Sequence, residues 1–275
     1  MTSAHALSGL IAGVDPEVPH VSRVLDLLLG GTANYPADRA AAEHASAARR
    51  GGDVRVDVRA ARGALVRMVR YLAAEAGVRQ FLDIGSGLPT MDNTHEAARR
   101  IVPDARTVYV DNDSVVVAHA RRLLAGLPRD EVRYLHGDLR EIDRILDAAR
   151  SVLDFERPVG VILFGILQYV PDDQGPAGLL KRIVDAVPPG SHVAFSQPAR
   201  AGADEDAVTG AAFDLLERPW GEPVVRRTRQ ETADLCFAGL EPVEPGLAEL
   251  PDWRPEPGAA GPRPLPAWCG LAHKA

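Results

Sequence analysis

The chain has 275 residues, of which 46% are hydrophobic and 25% charged, and this composition is typical of a globular protein. Its formal net charge of −7 argues against a general nucleic-acid binder, because such proteins usually carry a basic face and a basic total. Two cysteines and eight scattered histidines show no metal-ligand spacing, so we expect neither a metal site nor a disulfide framework.

Three helices are predicted before residue 78, over 20–31, 37–50 and 53–76, because apolar residues recur there at helical spacing. Residues 1–19 are expected to be irregular. The connection between the first two helices carries a polar and aromatic cluster formed by Asn34, Tyr35, Asp38 and Arg39. We therefore weigh two roles for segment 1–77: a helical cap that closes over a bound ligand, and an ordinary packing element.

The pattern of apolar residues changes after Gly77, where strand-like and helical segments alternate five times. This alternation predicts a parallel sheet covered by helices on both faces, and therefore a Rossmann-like α/β domain over 78–275. The five strand-like segments lie at 79–85, 106–113, 131–138, 159–165 and 191–197. Beyond them, helices are predicted at 204–217 and 228–238, and weaker strands at 240–245 and 267–275.

The stretch FLDIGSGLPT, residues 81–90, predicts a strand that leads into a tight glycine loop. Ligands of open α/β sheets bind outside the carboxyl ends of the strands. Gly85 and Gly87 would let the backbone turn and approach a ligand there without a Cβ in the way. The third glycine of dinucleotide-binding loops is absent, since position 90 is Thr, so the loop taken alone leaves a purely structural turn open.

Three acidic residues end the first three predicted strands, namely Asp83, Asp111 and Asp138. Asp111 could accept hydrogen bonds from both ribose hydroxyls of an adenosine. Asp138 could bind the adenine amino group beside the Leu139 N–H, or cap the next helix, or do both. Asp83 could anchor the loop or a ligand ammonium. Three carboxylates suit a ligand that is adenosine at one end and cationic at the other, and they would repel a pyrophosphate.

These segments resemble the motifs of the class I S-adenosylmethionine-dependent methyltransferases: FLDIGSG the first, VYVDND the second, LHGDLR the third, and VILFGILQYVPDD the segment after the fourth strand. PHVSRVLDLLLGGTANYPADRAAAE together with DIGSGLPTMDNTHE resembles a narrower group, the actinobacterial S-adenosyl methyltransferase family, formerly a domain of unknown function. The resemblance implies a mostly parallel seven-stranded sheet with an N-terminal helical cap. It also implies S-adenosylmethionine as cofactor and S-adenosylhomocysteine as product.

The sequence therefore predicts a methyltransferase that uses S-adenosylmethionine on an unidentified, small-molecule substrate. Two alternatives remain: a non-catalytic protein that binds S-adenosylmethionine, and an NAD(P)-dependent oxidoreductase. The predicted cofactor contacts are Asp83, Gly85, Ser86, Gly87, Asp111, Asn112, Asp138, Leu139, Phe164 and Gly165. The predicted substrate or lid contacts are Asn34, Tyr35, Asp38, Arg39 and Tyr169.

No residue is singled out as a general base, although His20, His95, His136 and Tyr169 are candidates. Arg55, Arg59 and Arg62 share one face of the third predicted helix, which is expected to be solvated. We expect no nucleic-acid partner and no membrane segment, because the longest apolar run, 159–167, is too short to cross a bilayer. The chain begins without a recognisable signal peptide, so the expected location is the cytoplasm. The oligomeric state is not predicted.

Overall fold

The computed structural model of the protein describes residues 15–48, 53–128, 130–200, 224–258, 264 and 266–275. The helix predicted at 204–217 lies outside the described residues. In the described part, the helices are α1 (Val21–Leu28), α2 (Pro36–Ala48), α3 (Arg55–Ala74), α4 (Thr94–Arg99), α5 (Ser114–Leu123), α6 (Ile142–Ala149), α7 (Pro176–Ala186) and α8 (Arg229–Cys236). The strands are β1 (Gln80–Ile84), β2 (Arg106–Asp111), β3 (Val132–His136), β4 (Gly160–Phe164), β5 (His192–Pro198), β6 (Glu241–Pro242), β7 (Ala248–Glu249) and β8 (Ala267–His273). Short 3-10 helices cover Leu139–Glu141, Leu167–Tyr169 and Asp172–Gln174.

All of these strands join one sheet in the order β3-β2-β1-β4-β5-β8-β6, and β7 also pairs with β8. Strands β1 to β5 are parallel, whereas β8 runs antiparallel to β5, β6 and β7. The chain moves outward from β1 to β3 and then returns to place β4 on the other side of β1. The strand order therefore reverses between β1 and β4, where open α/β sheets form their ligand crevice.

The described residues form eight strands, whereas the resemblance implied seven. The difference lies in the segment predicted as one strand over 240–245, where β6 covers only Glu241–Pro242 and β7 follows at Ala248–Glu249. Pro242 and Pro245 lack the backbone N–H that a continuous ladder needs, so the pairing with β8 is interrupted. The predicted Rossmann-like, mostly parallel sheet is confirmed.

The two faces of β1 pack against different helices, as strand alternation requires. Leu82 and Ile84 belong to the core that includes α6 and α7. Phe81 belongs to the core that includes α3 and α4. Since Asp83 alternates with Leu82 and Ile84, its side chain lies on the Phe81 face, which α3 covers.

Helix α3 runs antiparallel to β1, because only a short turn separates its end at Ala74 from the start of β1 at Gln80. Its Leu72 lies near the first residue of β4, since a Cβ on Gly160 would stand 3.2 Å from Leu72 Cδ1. The amino-terminal half of α3 therefore lies toward the carboxyl ends of the strands. Helix α3 and the sheet share one core, and the domain boundary between 77 and 78 stays a prediction.

Candidate functional site

The glycine loop after β1 lies at the carboxyl edge of the sheet, between β2 and β4. The backbone N–H groups of Gly85 and Ser86 donate to the Val110 carbonyl at 2.8 and 3.2 Å. Gly85 has φ +76°, and a Cβ there would lie 2.6 Å from Cδ1 of Ile166, which follows β4. Position 85 therefore requires glycine for two reasons: a left-handed backbone and the close approach of the neighbouring loop.

Asp111 ties the glycine loop to the end of β2. Its Oδ2 accepts the Gly87 N–H at 2.9 Å and its Oδ1 accepts the Asp113 N–H at 3.0 Å. Burial raises the pKa of this carboxyl group, and the two backbone hydrogen bonds partly oppose that effect. Each oxygen still has a lone pair available, so the carboxylate can hold the loop and accept further donors from a ligand.

Asp83 is a buried carboxylate at the end of β1, with 5% of the residue exposed. Thr94, the first residue of α4, donates a hydrogen bond from Oγ1 to Asp83 Oδ2 at 2.6 Å. Burial raises the pKa of Asp83 to about 6, an effect that the Thr94 hydrogen bond and the charge of Arg62 reduce. A carboxylate perturbed in this way at a strand end is typical of a functional site.

Two stacked tyrosines on β2 and β3 lie beside the glycine loop, and one of them contacts it directly. Tyr109 and Tyr134 are partners in the β2–β3 register, and their ring centroids are 5.1 Å apart. The Tyr134 hydroxyl lies 2.6 Å from Ser86 Oγ and also donates to the Gly87 carbonyl. Burial raises the pKa of both tyrosines well above 10, so both are neutral at pH 7.

Asp138 and Asn112 meet across the ends of β2 and β3, with Asn112 Nδ2 donating to Asp138 Oδ2 at 3.2 Å. Asp138 also caps the 3-10 helix Leu139–Glu141, because its Oδ1 accepts the Arg140 N–H at 2.8 Å. Partial burial opposes ionisation, but the hydrogen bonds from Arg140 and Asn112 lower the pKa of Asp138. The capping role is therefore confirmed, and the adenine contact of Asp138 and Leu139 stays a prediction.

The segment after β4 forms the other wall of the crevice. The Gly165 N–H donates to Ser196 Oγ at 2.9 Å, and Phe164 is half-buried against the α3 side of the core. Arg140 Nη2 donates to the Tyr169 carbonyl at 2.8 Å and so joins the segments that follow β3 and β4. Gln168 has a buried side-chain oxygen that finds no hydrogen-bond partner among the described residues, and this oxygen would lie 4.0 Å from a Cβ on Gly165.

Helices α1 and α2 form a hairpin that covers the glycine loop. Asp26 Oδ1 accepts the hydroxyl of Thr90 at 2.8 Å, and Asp26 Oδ2 accepts the Ala33 N–H at 2.7 Å. His20 Nε2 lies 2.8 Å from Asp113 Oδ2, just beyond β2. These contacts place the hairpin over the carboxyl ends of β1 and β2, the edge where a cap was expected. Proximity to β4 stays a prediction.

Asp38, one of the predicted substrate or lid contacts, makes its hydrogen bonds within the hairpin. Its residue is fully buried, and its carboxylate accepts N–H groups from His20, Tyr35 and Arg23 Nε at 2.8, 2.7 and 2.9 Å. It therefore holds the hairpin together, and its complete burial keeps it out of contact with a ligand at the surface of the hairpin. The Arg23 guanidinium lies 5.1 Å from the centre of the Tyr35 ring. Arg39 Nη1 is 3.0 Å from Asn34 Oδ1 at the surface.

The candidate histidine bases all make structural contacts. His20 caps α1 by accepting the Ser22 N–H at 3.3 Å, and His136 Nε2 lies 2.9 Å from the Asn112 carbonyl. The His95 ring lies 2.7 Å from the Tyr109 hydroxyl, and burial lowers the pKa of His95. These contacts therefore assign none of the three histidines as a general base.

Several site residues were missed by the sequence reasoning, namely Thr94, Tyr109, Tyr134, Gln168 and the half-buried Arg62. The period of two along a strand could have found the tyrosines, because Tyr109 precedes Asp111 by two residues and Tyr134 precedes Asp138 by four. No local pattern marks Arg62 or Gln168, since their positions depend on how α3 and the β4 loop pack.

Comparison with known proteins identifies the family to which the chain belongs. The sequence model of a family described as S-adenosyl methyltransferase matches residues 9–275. The chain belongs to the S-adenosyl methyltransferase family. S-adenosylmethionine is the cofactor of this family, in agreement with the prediction from the strand-end acids.

Solved structures give the same fold over nearly the whole chain. A DUF574 family protein from Streptomyces avermitilis is 36% identical, with a TM-score of 0.85, and the match covers 95% of this chain and 99% of that protein. A protein from Thermobifida fusca, provisionally named a methyltransferase, is 35% identical, with a TM-score of 0.86 and 99% coverage of both chains.

A curated relative from Mycolicibacterium smegmatis is provisionally named an S-adenosyl-L-methionine-dependent methyltransferase. It is 31% identical over 150 residues, which are 53% of this chain and 47% of the relative. The match therefore spans about half the length of that relative. Within the described ranges, no helix has the length and apolar character needed to cross a bilayer.

Proposed function

We propose that this member of the S-adenosyl methyltransferase family catalyses methyl transfer from S-adenosylmethionine to a small molecule. The observation that carries the proposal is the arrangement at the carboxyl edge, where Asp83, Asp111 and Asp138 end three adjacent strands around one glycine loop. A dinucleotide would bring a pyrophosphate to these carboxylates. A sulfonium nucleoside instead brings hydroxyls, an amino group and positive charge, all of which carboxylates favour.

Each acid has a distinct proposed role. Asp83, buried and without an ion-pair partner within 4 Å among the described residues, receives the ligand ammonium. Asp111 accepts the ribose hydroxyls with the lone pairs that Gly87 and Asp113 leave free. Asp138 and the Leu139 N–H bind the adenine edge. Glycine at 85 and 87 allows the backbone to approach the ligand closely.

The reaction places modest chemical demands on the protein. When bound, the cofactor supplies a methyl group on a positively charged sulfur that leaves as a neutral thioether. The chain's own part is to align the acceptor with that methyl and to exclude water. Phe164, Gly165 and Gln168 lie at the end of β4, beside the crevice, where we propose that the acceptor binds. The unpaired oxygen of Gln168 would accept an N–H or O–H of the acceptor.

A methyl-transfer assay tests the proposal. The full chain is incubated with S-adenosylmethionine labelled in its methyl group and with a fractionated metabolite extract. Transfer of label to a low-molecular-weight product is expected. Tight binding of S-adenosylmethionine without transfer to any fraction would favour a non-catalytic binding protein, and binding of NADH alone would contradict the cofactor assignment itself.

Substitution at the end of β2 tests the proposed ribose contact. Asp111→Ala should lower the affinity for S-adenosylhomocysteine by about 1.5–3 kcal/mol, the range for hydrogen bonds to a charged group. Asp104→Ala is the matched control, because Asp104 precedes β2 and its side chain is 79% exposed. Equal, small effects of the two substitutions in calorimetry would mean that the ribose binds elsewhere.

A further inference from the structure

Arg62 lies on the part of α3 that reaches the carboxyl edge. Leu72, ten residues later on the same helix, contacts the amino end of β4 at Gly160. Ten helical residues span about 15 Å, which is close to the length of a five-residue strand at about 3.3 Å per residue. Arg62 therefore stands near the level at which β1 and β4 end, on the sheet face that also carries Asp83.

The charge of Arg62 acts on the centre of the site. It favours ionisation of Asp83, Tyr109 and Tyr134, which belong to three adjacent strands. The side chain is half-buried, yet no hydrogen bond or ion pair within 4 Å links it to any described residue. The guanidinium has five N–H donors in a fixed fork geometry. A cation in this position, with its donors unused, is suited to bind an anion.

The neighbouring arginines on the helix differ from Arg62. Arg55 pairs with Asp53 at 3.0 Å at the surface, and Arg59 is exposed. The solvated face expected for the three arginines is thus found at Arg55 and Arg59, whereas Arg62 is half-buried and its charge acts on Asp83. This difference supplies a control on the same helix, one turn away from the residue of interest.

We propose that Arg62 binds the carboxylate of the cofactor's amino-acid tail, while Asp83 binds its ammonium. This inference rests on the proposed function and adds the selectivity of the same site. A zwitterionic tail presents one positive and one negative group a few ångströms apart, and Asp83 and Arg62 present the complementary pair. The site would therefore select ligands that retain the carboxylate over adenosine thioethers that lack it.

Arg62 could instead act only through Asp83, by keeping that carboxylate ionised. The two roles predict different ligand dependence. If Arg62 acts only through Asp83, Arg62→Gln should lower the affinity for every ligand that carries an ammonium. If Arg62 contacts the ligand carboxylate directly, Arg62→Gln should lower the affinity only for ligands that carry a carboxylate. A ligand without that group makes no contact with Arg62 that the substitution could remove.

Three ligands separate these roles in calorimetry with the full chain at pH 7.5. S-adenosylhomocysteine carries both groups, 5′-deoxy-5′-(3-aminopropylthio)adenosine carries only the ammonium, and methylthioadenosine carries neither. Arg62→Gln should weaken the binding of S-adenosylhomocysteine by about ten- to a hundredfold. The affinities for the other two ligands should stay within about twofold of the wild-type values. Arg62→Lys should recover part of the loss, because it keeps the charge without the planar donor pair. Arg59→Gln should behave like the wild type.

Asp83→Asn provides the complementary pattern, with both ammonium-bearing ligands weakened and methylthioadenosine unchanged. Equal weakening of S-adenosylhomocysteine and the aminopropyl ligand by Arg62→Gln would overturn the proposal, as would no effect on either. If the wild type binds none of the three ligands, the proposed function fails before Arg62 is at issue. Thermal melting of each variant verifies that the loss of affinity is not a loss of folding.

Discussion

Asp83 is the residue at which binding and stability are opposed. A buried carboxylate destabilises the folded state when it ionises, and the pKa of Asp83 is raised to about 6 by burial. Asp83→Asn keeps an oxygen that can accept the Thr94 hydroxyl and removes the charge. We expect this variant to be more stable than the wild type at pH 7, by on the order of 1–3 kcal/mol, and to lose affinity for S-adenosylhomocysteine.

The sign of the pH effect follows from the raised pKa. The stability associated with protonated Asp83 is present below the unfolded pKa of 3.8 and is lost as the pH rises through about 6. The stability advantage of Asp83→Asn should therefore shrink between pH 7 and pH 4 in urea titrations. Asp104→Asn, at an exposed position, should show no such trend. An Asp83→Asn variant that is less stable than the wild type at pH 7 would contradict this account.

The same titration governs ligand affinity. The ammonium of S-adenosylhomocysteine needs an ionised partner, so the affinity of the wild type should fall as the pH decreases through about 6. For Asp83→Asn the affinity should be low and nearly independent of pH over this range. Calorimetry at several pH values between 5 and 8 measures both curves, and parallel curves for the two proteins would exclude Asp83 as the titrating group.

Gly85 should tolerate no side chain. Alanine there would be strained at φ +76° and would meet Ile166 at 2.6 Å. We expect Gly85→Ala to lower the free energy of unfolding by about 2–3 kcal/mol and to impair cofactor binding. Gly178→Ala in α7 is the control, since no atom of the described part of the chain lies within 4 Å of its Cβ, and helix propensity predicts a gain of about 0.5–1 kcal/mol. Equal stability of the two variants in urea titrations would contradict the close approach of the β1 and β4 loops.

At the scale of secondary-structure elements, the α1–α2 hairpin depends on Asp38. This buried carboxylate accepts three N–H groups from α1 and from the chain just before α1 and α2. Asp38→Ala leaves those donors unpaired and should destabilise the hairpin by about 3 kcal/mol or more. Hydrogen exchange should then increase over α1 and α2 while β1 and β4 stay protected. Arg39→Ala removes only a surface contact with Asn34 and should leave exchange unchanged. Increased exchange in the sheet as well would mean that the hairpin is not a separate cooperative unit.

Asp38 and Arg62 illustrate what sequence alone could and could not predict. Strand ends are local features, so Asp83, Asp111 and Asp138 could be placed at one edge of the sheet from the sequence. A polar residue near the start of a helix can bind backbone N–H groups or contact a ligand, and the sequence does not distinguish these roles, so it does not show that Asp38 is buried inside the hairpin. The environment of Arg62 depends on the packing of α3 against the sheet, and no spacing in the sequence encodes that contact.

At the scale of the whole molecule, both ends of the parallel strands carry a buried group with a shifted pKa. Asp83 lies at the carboxyl ends of the strands, and His192 lies at their amino ends. His192 begins β5 at the edge opposite the site, where burial and the charge of His273 lower its pKa to about 4. The His273 ring lies 4.8 Å away, and its Nδ1 is 3.6 Å from Glu241 Oε2. The stability contributed by neutral His192 is present above pH 6.5 and is lost as the pH falls through about 4.

A substitution at this edge isolates that contribution. His192→Gln should flatten the fall in the free energy of unfolding between pH 7 and pH 4, by on the order of 2–3 kcal/mol. His44→Gln, at an exposed position on α2, should leave the slope as in the wild type. An unchanged slope in His192→Gln would assign the acid sensitivity to other groups.

The central claim is that the carboxyl edge of this sheet binds a sulfonium nucleoside and not a dinucleotide. Calorimetric titration of the full chain at pH 7.5, with S-adenosylhomocysteine and with NADH, tests it most directly. We predict saturable binding of S-adenosylhomocysteine at one site per chain and no binding of NADH. Saturable binding of NADH, with no heat from S-adenosylhomocysteine or S-adenosylmethionine, would contradict the account.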